Sequence, residues 1–505
     1  MATKEKFQEL LEIEGKVSAY SFLYKGIDFW PFLRILIGYK EDLAAEKVNR
    51  DLVNKYFENS IRSEINSFFF NYKFSQKIKS TKSKKVIQNV SRKDVVFFSS
   101  TSIIEGNYDH FFNEWISPIK EIIKDDLTLE HIVIKGLGEQ AEAVLVNGDL
   151  LIQDYGGFDR KAFKNRSLLS VKSAFGWKKQ VKDIEGIKVL CDVLLDSSFG
   201  VTFSINELAQ RFELMVLMID FYAKWIKKYS PKVLVLYSFY SDFFLAIVYA
   251  ARSIGIPVID IQHGVIGSYH FAYTNWNAVR NDNFFIPNYC LTWNDFVAES
   301  INRTSGEVMR AFHVGDFSMF SKIAERDAHK IQCSNSQSVV REIPHVVIST
   351  GAKILPQELM QLINSDIKIF WHIKLHPRYS DETKFIFYKE NIKKPNTMIH
   401  YNDGVVLGQL FEECDLHITE ESAAVFEAER FGLKNIIVSE IGRDYFQQYI
   451  DSGDFIYCNF KELGLLKNIL TDGSIYIKKS ISTDDLLSSI KMRFKQFLRQ
   501  EKLIS

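Results

Sequence analysis

The chain has 505 residues, too many for one hydrophobic core, so two or three domains are expected. Its 46% hydrophobic and 25% charged residues exclude a disordered chain. Lys and Arg (63) balance Asp and Glu (63), which removes the whole-molecule charge that nucleic-acid binding draws on, so no nucleic-acid partner is expected.

Residues 1–72 read as mostly helical, with Phe7, Leu10, Leu11, Ile13 and Val17 at helical spacing. Tyr20 to Tyr39 is dense in aromatic and aliphatic residues around Lys25, Asp28 and Arg34. One reading is a helical cap packed on the next domain; the other is a segment resting on a membrane. Residues 73–93 hold seven lysines (73, 77, 79, 82, 84, 85, 93) and Arg92 with no acid, a solvated linker that could also touch anionic lipid. Residues 1–93 thus form a helical extension and basic linker.

A first α/β domain is expected over 94–325. It opens on the strand Asp94 to Ser99, and further strands are expected at His131 to Lys135 and Ala143 to Gln153. Asn147-Gly148 in the last of these is a hairpin signal. A helix over Ile205 to Lys228 precedes the strand Val233 to Leu236. The helix Asp242 to Ser253, closed by Gly255, then leads to the strand Pro257 to Ile261, a βαβ unit with parallel strands. Tyr289 to Trp293 and Phe312 to Val314 read as its last strands. Ser318 to Glu342 is polar and reads as a connection.

A second α/β domain is expected over 340–505. Strands are expected at His345 to Ser349, Ile367 to Leu375, Thr397 to Tyr401, Asp415 to Thr419, Asn435 to Val438 and Phe455 to Cys458. Helices are expected near Gln357 to Ile363, Val406 to Glu413 and Ala423 to Phe431, the last closed by Gly432. A final helix, Asp484 to Arg499, follows Ser482-Thr483 as a cap and can pack back on the first domain.

Cys191, Cys290, Cys333, Cys414 and Cys458 form no CxxC pair, so neither a disulfide framework nor a zinc site is expected, and a reducing cytoplasm is. The N-terminus is polar, unlike a signal peptide, and no apolar run approaches the ~20 residues of a membrane span.

Three polar clusters fall where strands should end, and ligands bind at the carboxyl ends of strands in open α/β sheets. Thr419 and Ser422 bring hydroxyls to the turn before a helix, where phosphate can bind; capping is their ordinary use. Glu427, one turn in, can accept ribose hydroxyls or simply face solvent. Lys374 and His376 share one face of their strand, and Pro377 stops the ladder. They can clamp a diphosphate or protonate a leaving phosphate. In the first domain Gln262, His263 and Gly264 follow a strand: Gly264 allows close approach of a ligand, and His263 can bond a sugar hydroxyl, a carboxylate or a phosphate. Ser238, Ser241 and Asp242 end the preceding strand. Ser99 to Ser102 lead to Glu105, Asp109 and His110, acid/base candidates on a loop.

Ile261-Gln262-His263-Gly264 resembles the QHG element of bacterial capsule and lipopolysaccharide glycosyltransferases. Lys374-Leu375-His376-Pro377 resembles the HP motif of bacterial sialyl-, polysialyl- and Kdo transferases. Thr419 to Ser422, with the run Ala423 to Gly432, resembles their S-S/T motif and its helix. The resemblance spans roughly Val233 to Val438. It implies a GT-B fold, two Rossmann-like domains facing a central cleft, with the N-terminal helical extension outside it. It implies a metal-independent glycosyltransferase of surface polysaccharide synthesis, without cofactor, working at the cytoplasmic membrane face on a glycan or lipid-linked glycan acceptor. The HP and S-S/T residues would hold the nucleotide sugar, commonly CMP-Kdo or a CMP-sialic acid. Here the hydroxyls are split around Glu420 and Glu421, which leaves a UDP or other NDP sugar open. Asp109 or Glu105 would be the base of an inverting reaction, with His263 and His376 as further catalytic candidates. Two alternatives remain open: a polyol-phosphate transferase using CDP-glycerol, and a non-catalytic partner subunit of the same fold.

Overall fold

The computed structural model describes residues 4–45, 92–100, 113–134, 145–146, 149–150, 180–199, 203, 205–276, 284–305, 308–323, 343–351, 354–376, 382–479 and 482–503. They divide into two compact units. Unit 1 comprises Met1–His263, Tyr269–Gly315 and Phe494–Ser505; unit 2 comprises Gly264–Ser268 and Asp316–Arg493.

Unit 1 begins with helix α1 (Lys4–Val17), a two-stranded antiparallel ribbon of β1 (Leu23–Tyr24) and β2 (Ile27–Asp28), and helix α2 (Trp30–Ala45). The ribbon interrupts the segment expected to be helical. Its turn is Lys25-Gly26, both at positive φ (50° and 81°), the backbone of a two-residue hairpin turn. Then come β3 (Val95–Ser100), α3 (Ile116–Ile123), β4 (Leu129–Ile134), β5 (Leu145–Val146), β6 (Asp149–Leu150), α4 (Glu185–Leu195), α5 (Ile205–Tyr229), β7 (Val233–Tyr237), α6 (Asp242–Ser253), β8 (Val258–Ile261), β9 (Tyr289–Thr292), α7 (Asp295–Thr304) and β10 (Arg310–His313). The sheet order is β10-β9-β8-β7-β3-β4-β6-β5, parallel except for the β5–β6 pair. That pair is the expected hairpin; its turn, Asn147-Gly148, lies outside the described residues. Strands β7 and β8 are buried along their whole length, as central parallel strands covered on both faces must be.

The aromatic residues between Tyr20 and Tyr39 belong to the core of this unit. Phe22, Tyr24, Phe29, Trp30 and Phe32 are buried, and Phe29 stacks on Phe212 of α5 at 4.0 Å. Arg34 of α2 is wholly buried. It donates to the carbonyls of Thr274 and Asn275, lies 3.6 Å from Glu14, and stacks over Trp276. The residues a membrane-resting segment would need on its surface are thus inside, although Leu23 is exposed. Residues 46–91, with most of the basic linker, lie outside the described residues.

Unit 2 contains β11 (His345–Ser349), α8 (Gln357–Asn364), β12 (Phe370–Lys374), α9 (Glu382–Asn391), β13 (Thr397–His400), α10 (Leu407–Glu413), β14 (Leu416–Thr419), α11 (Ala424–Arg430), β15 (Lys434–Ile437), α12 (Glu440–Tyr445), α13 (Gln447–Asp451), β16 (Phe455–Tyr457), α14 (Leu463–Thr471) and the first part of α15 (Thr483–Gln500). The last part of α15 is counted with unit 1, where Phe497 packs on Tyr289 and Phe312. All six strands are parallel, in the order β13-β12-β11-β14-β15-β16. Numbered within the unit this is 3-2-1-4-5-6, the doubly wound dinucleotide-binding order. Each unit is therefore a Rossmann-like α/β layer structure built on a parallel sheet. Gly432 closes α11 at φ 82°, and a Cβ there would lie 2.1 Å from the Lys479 carbonyl, so the position requires glycine.

Candidate functional site

In unit 2 the strand order reverses between β11 and β14, and ligands of doubly wound sheets bind outside such a switch point. The register sets one row across it: His400 opposite Lys374, Lys374 opposite Ser349, Ser349 opposite Thr419. Of the residues singled out around the HP and S-S/T elements, Lys374 and Thr419 lie on this row, and His376 and Ser422 follow shortly after it in the chain. Pro377 and the residues after it lie outside the described residues.

The hydroxyls fix the backbone of the switch point. Thr419 Oγ1 donates to the Ser349 carbonyl at 3.1 Å and accepts from the Ser422 amide at 3.3 Å. Ser422 Oγ accepts from the Ala424 amide at 3.2 Å. Thr419 is buried, so the hydroxyl expected to meet phosphate instead ties β14 to β11, while Ser422 is half-buried in the turn. Helix α11 has only seven residues. Beyond β11, Thr350 donates its amide to the Lys374 carbonyl at 3.0 Å, and its Oγ1 accepts from the His376 amide at 3.3 Å. Thr350 thereby sets the turn that carries His376. Its sequence signal was a hydroxyl directly after the strand His345 to Ser349.

A buried chain of bonds runs beneath the row. Asn435 Nδ2 donates to the Val425 carbonyl at 3.0 Å, so its Oδ1 accepts from His417 Nδ1 at 2.7 Å, and His417 Nε2 in turn accepts from Ser349 Oγ at 2.8 Å. Burial lowers the His417 pKa to about 4, against the pull of Asn435. So weak a base does not activate Ser349 at neutral pH, and the Ser–His–Asn chain serves to hold three strands together.

Lys374 is committed within the unit. Its Nζ donates to the Val405 carbonyl at 2.6 Å and lies 3.6 Å from Asp403 Oδ1. Burial pushes the Asp403 carboxyl up, but the bonds from His400 and the Val405 amide and the Lys374 charge bring it below the usual value. Glu427 of α11, expected to accept ribose hydroxyls, is paired with Lys322 at 2.7 Å. Behind the turn, Ser439 Oγ donates to the Glu420 carbonyl at 2.8 Å and accepts from the Gly442 amide at 2.9 Å. A Cβ on Gly442 would lie 1.8 Å from that carbonyl, so the close approach of α12 requires glycine. A cavity of about 210 Å³ on the helix side of the unit is lined by Glu412, Arg430, Lys478 and Thr483 and by none of the strand-end residues.

In unit 1, β7 and β8 end beside each other. Tyr240, just past β7, donates its hydroxyl to His263 Nε2 at 3.0 Å, and the His263 ring lies among those of Trp115 and Tyr237. Burial lowers the His263 pKa to about 4, so its imidazole is neutral at pH 7. Asp260 of β8 is wholly buried and accepts from Tyr273 Oη at 2.6 Å and from the Phe239 amide at 3.1 Å. Burial pushes this carboxyl up to about 8, against both bonds. Asp260 anchors the turn in which Ser238 has φ 58° and which delivers Tyr240 to His263. Neither Asp260 nor Tyr240 was singled out from sequence: an acid inside an apolar strand and a tyrosine in a turn announce no role.

The neighbours of His263 differ from it. Gln262 is buried, and its Oε1 accepts from the Trp293 amide at 2.8 Å, a structural tie between β8 and β9. Gly264 has open space where a Cβ would sit. Asp242 opens α6 and lies 3.5 Å from Arg211. Ser99, next to last in β3, has its hydroxyl 2.9 Å from His131 Nε2. Glu105, Asp109 and His110 lie outside the described residues. Among the described residues no group of three or more His, Cys, Asp or Glu could hold a metal ion.

No protein-family model matches the chain, and no curated protein does. Solved structures do. UDP-GlcNAc 2-epimerase from Neisseria meningitidis bound to UDP-GlcNAc aligns over 80% of this chain and 99% of its own, with TM-score 0.47 and 11% identity. CalG4, the calicheamicin glycosyltransferase, aligns over 81% and 98%, with TM-score 0.42 and 10% identity. MurG from Acinetobacter baumannii aligns over 79% and 95%, with TM-score 0.40 and 11% identity. At these identities the likeness concerns the course of the chain alone.

Proposed function

We propose that the chain is a glycosyltransferase that moves a sugar from a nucleotide-sugar donor to a growing surface polysaccharide. The observation that carries the reading is the row Lys374–Ser349–Thr419 at the switch point of unit 2, with His376 just beyond it. The donor is assigned to unit 2. A CMP-activated acidic sugar is the first choice, on the motif resemblance around His376 and Ser422, and a UDP sugar is the alternative. Lys374 and His376 supply the positive charge and the donors that the departing phosphate needs as charge develops on it. No metal is assigned to that step. The glycan acceptor, lipid-linked at the cytoplasmic face of the membrane, is assigned to unit 1. There His263, bonded to Tyr240, is assigned to hydrogen-bond a sugar hydroxyl of the acceptor, and the base of an inverting reaction is assigned to Asp109 or Glu105.

The test is a thermal-shift series of the intact protein with CMP, UDP and GDP, followed by transfer assays with the matching sugars. A nucleotide at 100 times its Kd stabilises the fold by about 2.7 kcal/mol. One nucleotide is expected to raise Tm, and Ser422→Trp is expected to abolish that rise. No shift with any of the three at millimolar concentration overturns the reading.

A further inference from the structure

One face of the unit 2 sheet carries a line of imidazoles. His345 Nδ1 donates to His372 Nε2 at 2.9 Å, His372 Nδ1 donates to His400 Nε2 at 3.1 Å, and His400 Nδ1 donates to Asp403 Oδ2 at 2.7 Å. The other carboxylate oxygen of Asp403 faces Lys374 Nζ at 3.6 Å. The line runs obliquely over β11, β12 and β13, from the first residue of β11 to the row that ends β12 and β13. His372 and His400 are buried, and His345 is partly exposed. A carboxylate only accepts, so Asp403 fixes the polarity of the whole line, with each neutral ring holding its proton on Nδ1.

We propose that His345, His372 and His400 form a proton relay that ends on Asp403 and sets the charge beside Lys374, which makes His400 and Asp403 positioning residues of the donor phosphate site. The proposal rests on the donor reading above. A proton from solvent adds to His345 Nε2. His345 passes its Nδ1 proton to His372 Nε2, and His372 passes its own Nδ1 proton to His400 Nε2. The charge comes to rest on His400, the ring in contact with a carboxylate, because an adjacent opposite charge favours the charged form. Asp403 is then shared between His400 and Lys374. The strand end, neutral as the Lys374–Asp403 pair, gains one positive charge, and the hold on Lys374 loosens.

The other charged groups around the line are few among the described residues. Asp415, before β14, accepts from the His345 amide at 2.8 Å. Helix α10, packed on this face through Leu410 and Phe411, carries Glu412 and Glu413 at its C-terminal end. Phe370 stacks on His345 at 4.8 Å. None of these separates His400 from Asp403.

The experiment titrates the histidine ring nitrogens of the intact protein by NMR from pH 5 to 9, for wild type, His345→Gln and Asp403→Asn. His345→Gln is expected to move the titration of His400, a ring it does not touch, and Asp403→Asn is expected to shift it toward lower pH. An unchanged His400 titration in His345→Gln overturns the relay whether or not a nucleotide binds. The second arm measures Kd for CMP-N-acetylneuraminate and UDP-N-acetylglucosamine, phosphodiesters of constant charge over this range. Binding is expected to tighten roughly three- to tenfold from pH 8 to 6 in wild type and to stay flat in His345→Gln. Equal pH dependence in both proteins overturns the link to Lys374, and failure of both probes to bind at any pH counts against the donor reading instead.

Discussion

Lys374 is the last residue of β12 and His376 lies two residues on, in the turn beyond it, so the shared strand face expected of them is not formed and their surroundings differ. Lys374 is held by Asp403 and the Val405 carbonyl, whereas His376 is carried by a turn that Thr350 fixes. His376→Ala is expected to cut transfer roughly 10²-fold while the protein stays folded, the magnitude for losing one preorganised donor. Turnover at saturating donor is the measurement, and an unchanged value removes His376 from the site. The same two side chains offer the charge that a metal would otherwise bring, so EDTA is expected to leave transfer intact. Full inactivation that Mg²⁺ restores would contradict this. Sequence could nominate these residues because His and Lys after an apolar strand are conspicuous. It could not show that Thr419 and Glu427 were already engaged, because their partners, Ser349 and Lys322, are 70 and 105 residues away in the chain.

Among the elements, the N-terminal aromatic segment shows the difference most clearly. Its composition fits either a core or a membrane surface, since both bury apolar area. Packing decides it: Phe29 stacks on Phe212, and Arg34 finds buried carbonyls. Phe29→Ala is expected to destabilise the protein by about 3–5 kcal/mol, read by chemical denaturation, through loss of buried area and the cavity left behind. A change below about 1 kcal/mol would return the segment to the surface. The β-strands were legible as apolar runs, and the βαβ unit Val233 to Ile261 as strand, helix and strand. The ribbon at Lys25-Gly26 was not, because a two-residue turn inside an aromatic run lacks the usual cluster of turn residues.

For the whole molecule, buried titrating groups set an expected pH profile. His131, His263, His270 and His417 have pKa values lowered by burial to about 3, 4, 3 and 4. Unfolded, each takes a proton near ~6.5. Between those values the unfolded chain binds more protons, so stability falls as pH drops from about 6.5 toward 4. Asp260 has the opposite sign. Its folded value of about 8 lies above the unfolded carboxylate value, so the fold binds more protons between the two and stability falls as pH rises toward 8. Tm is expected to peak near pH ~6.5. Asp260→Asn is expected to flatten the alkaline side and steepen the acid side, and an unaltered alkaline slope in that variant would show that Asp260 is already ionised at neutral pH. What the sequence determined by itself was local: the two α/β halves, the parallel strands and the polar clusters at their ends follow from periodicity and from what each residue type can do. Tertiary structure decided which of those polar groups stay available and which are used up. It also decided that three histidines scattered over 56 residues form one line and that Tyr240 meets His263. Those facts depend on sheet register and on long-range contacts, and no run of neighbouring residues encodes either.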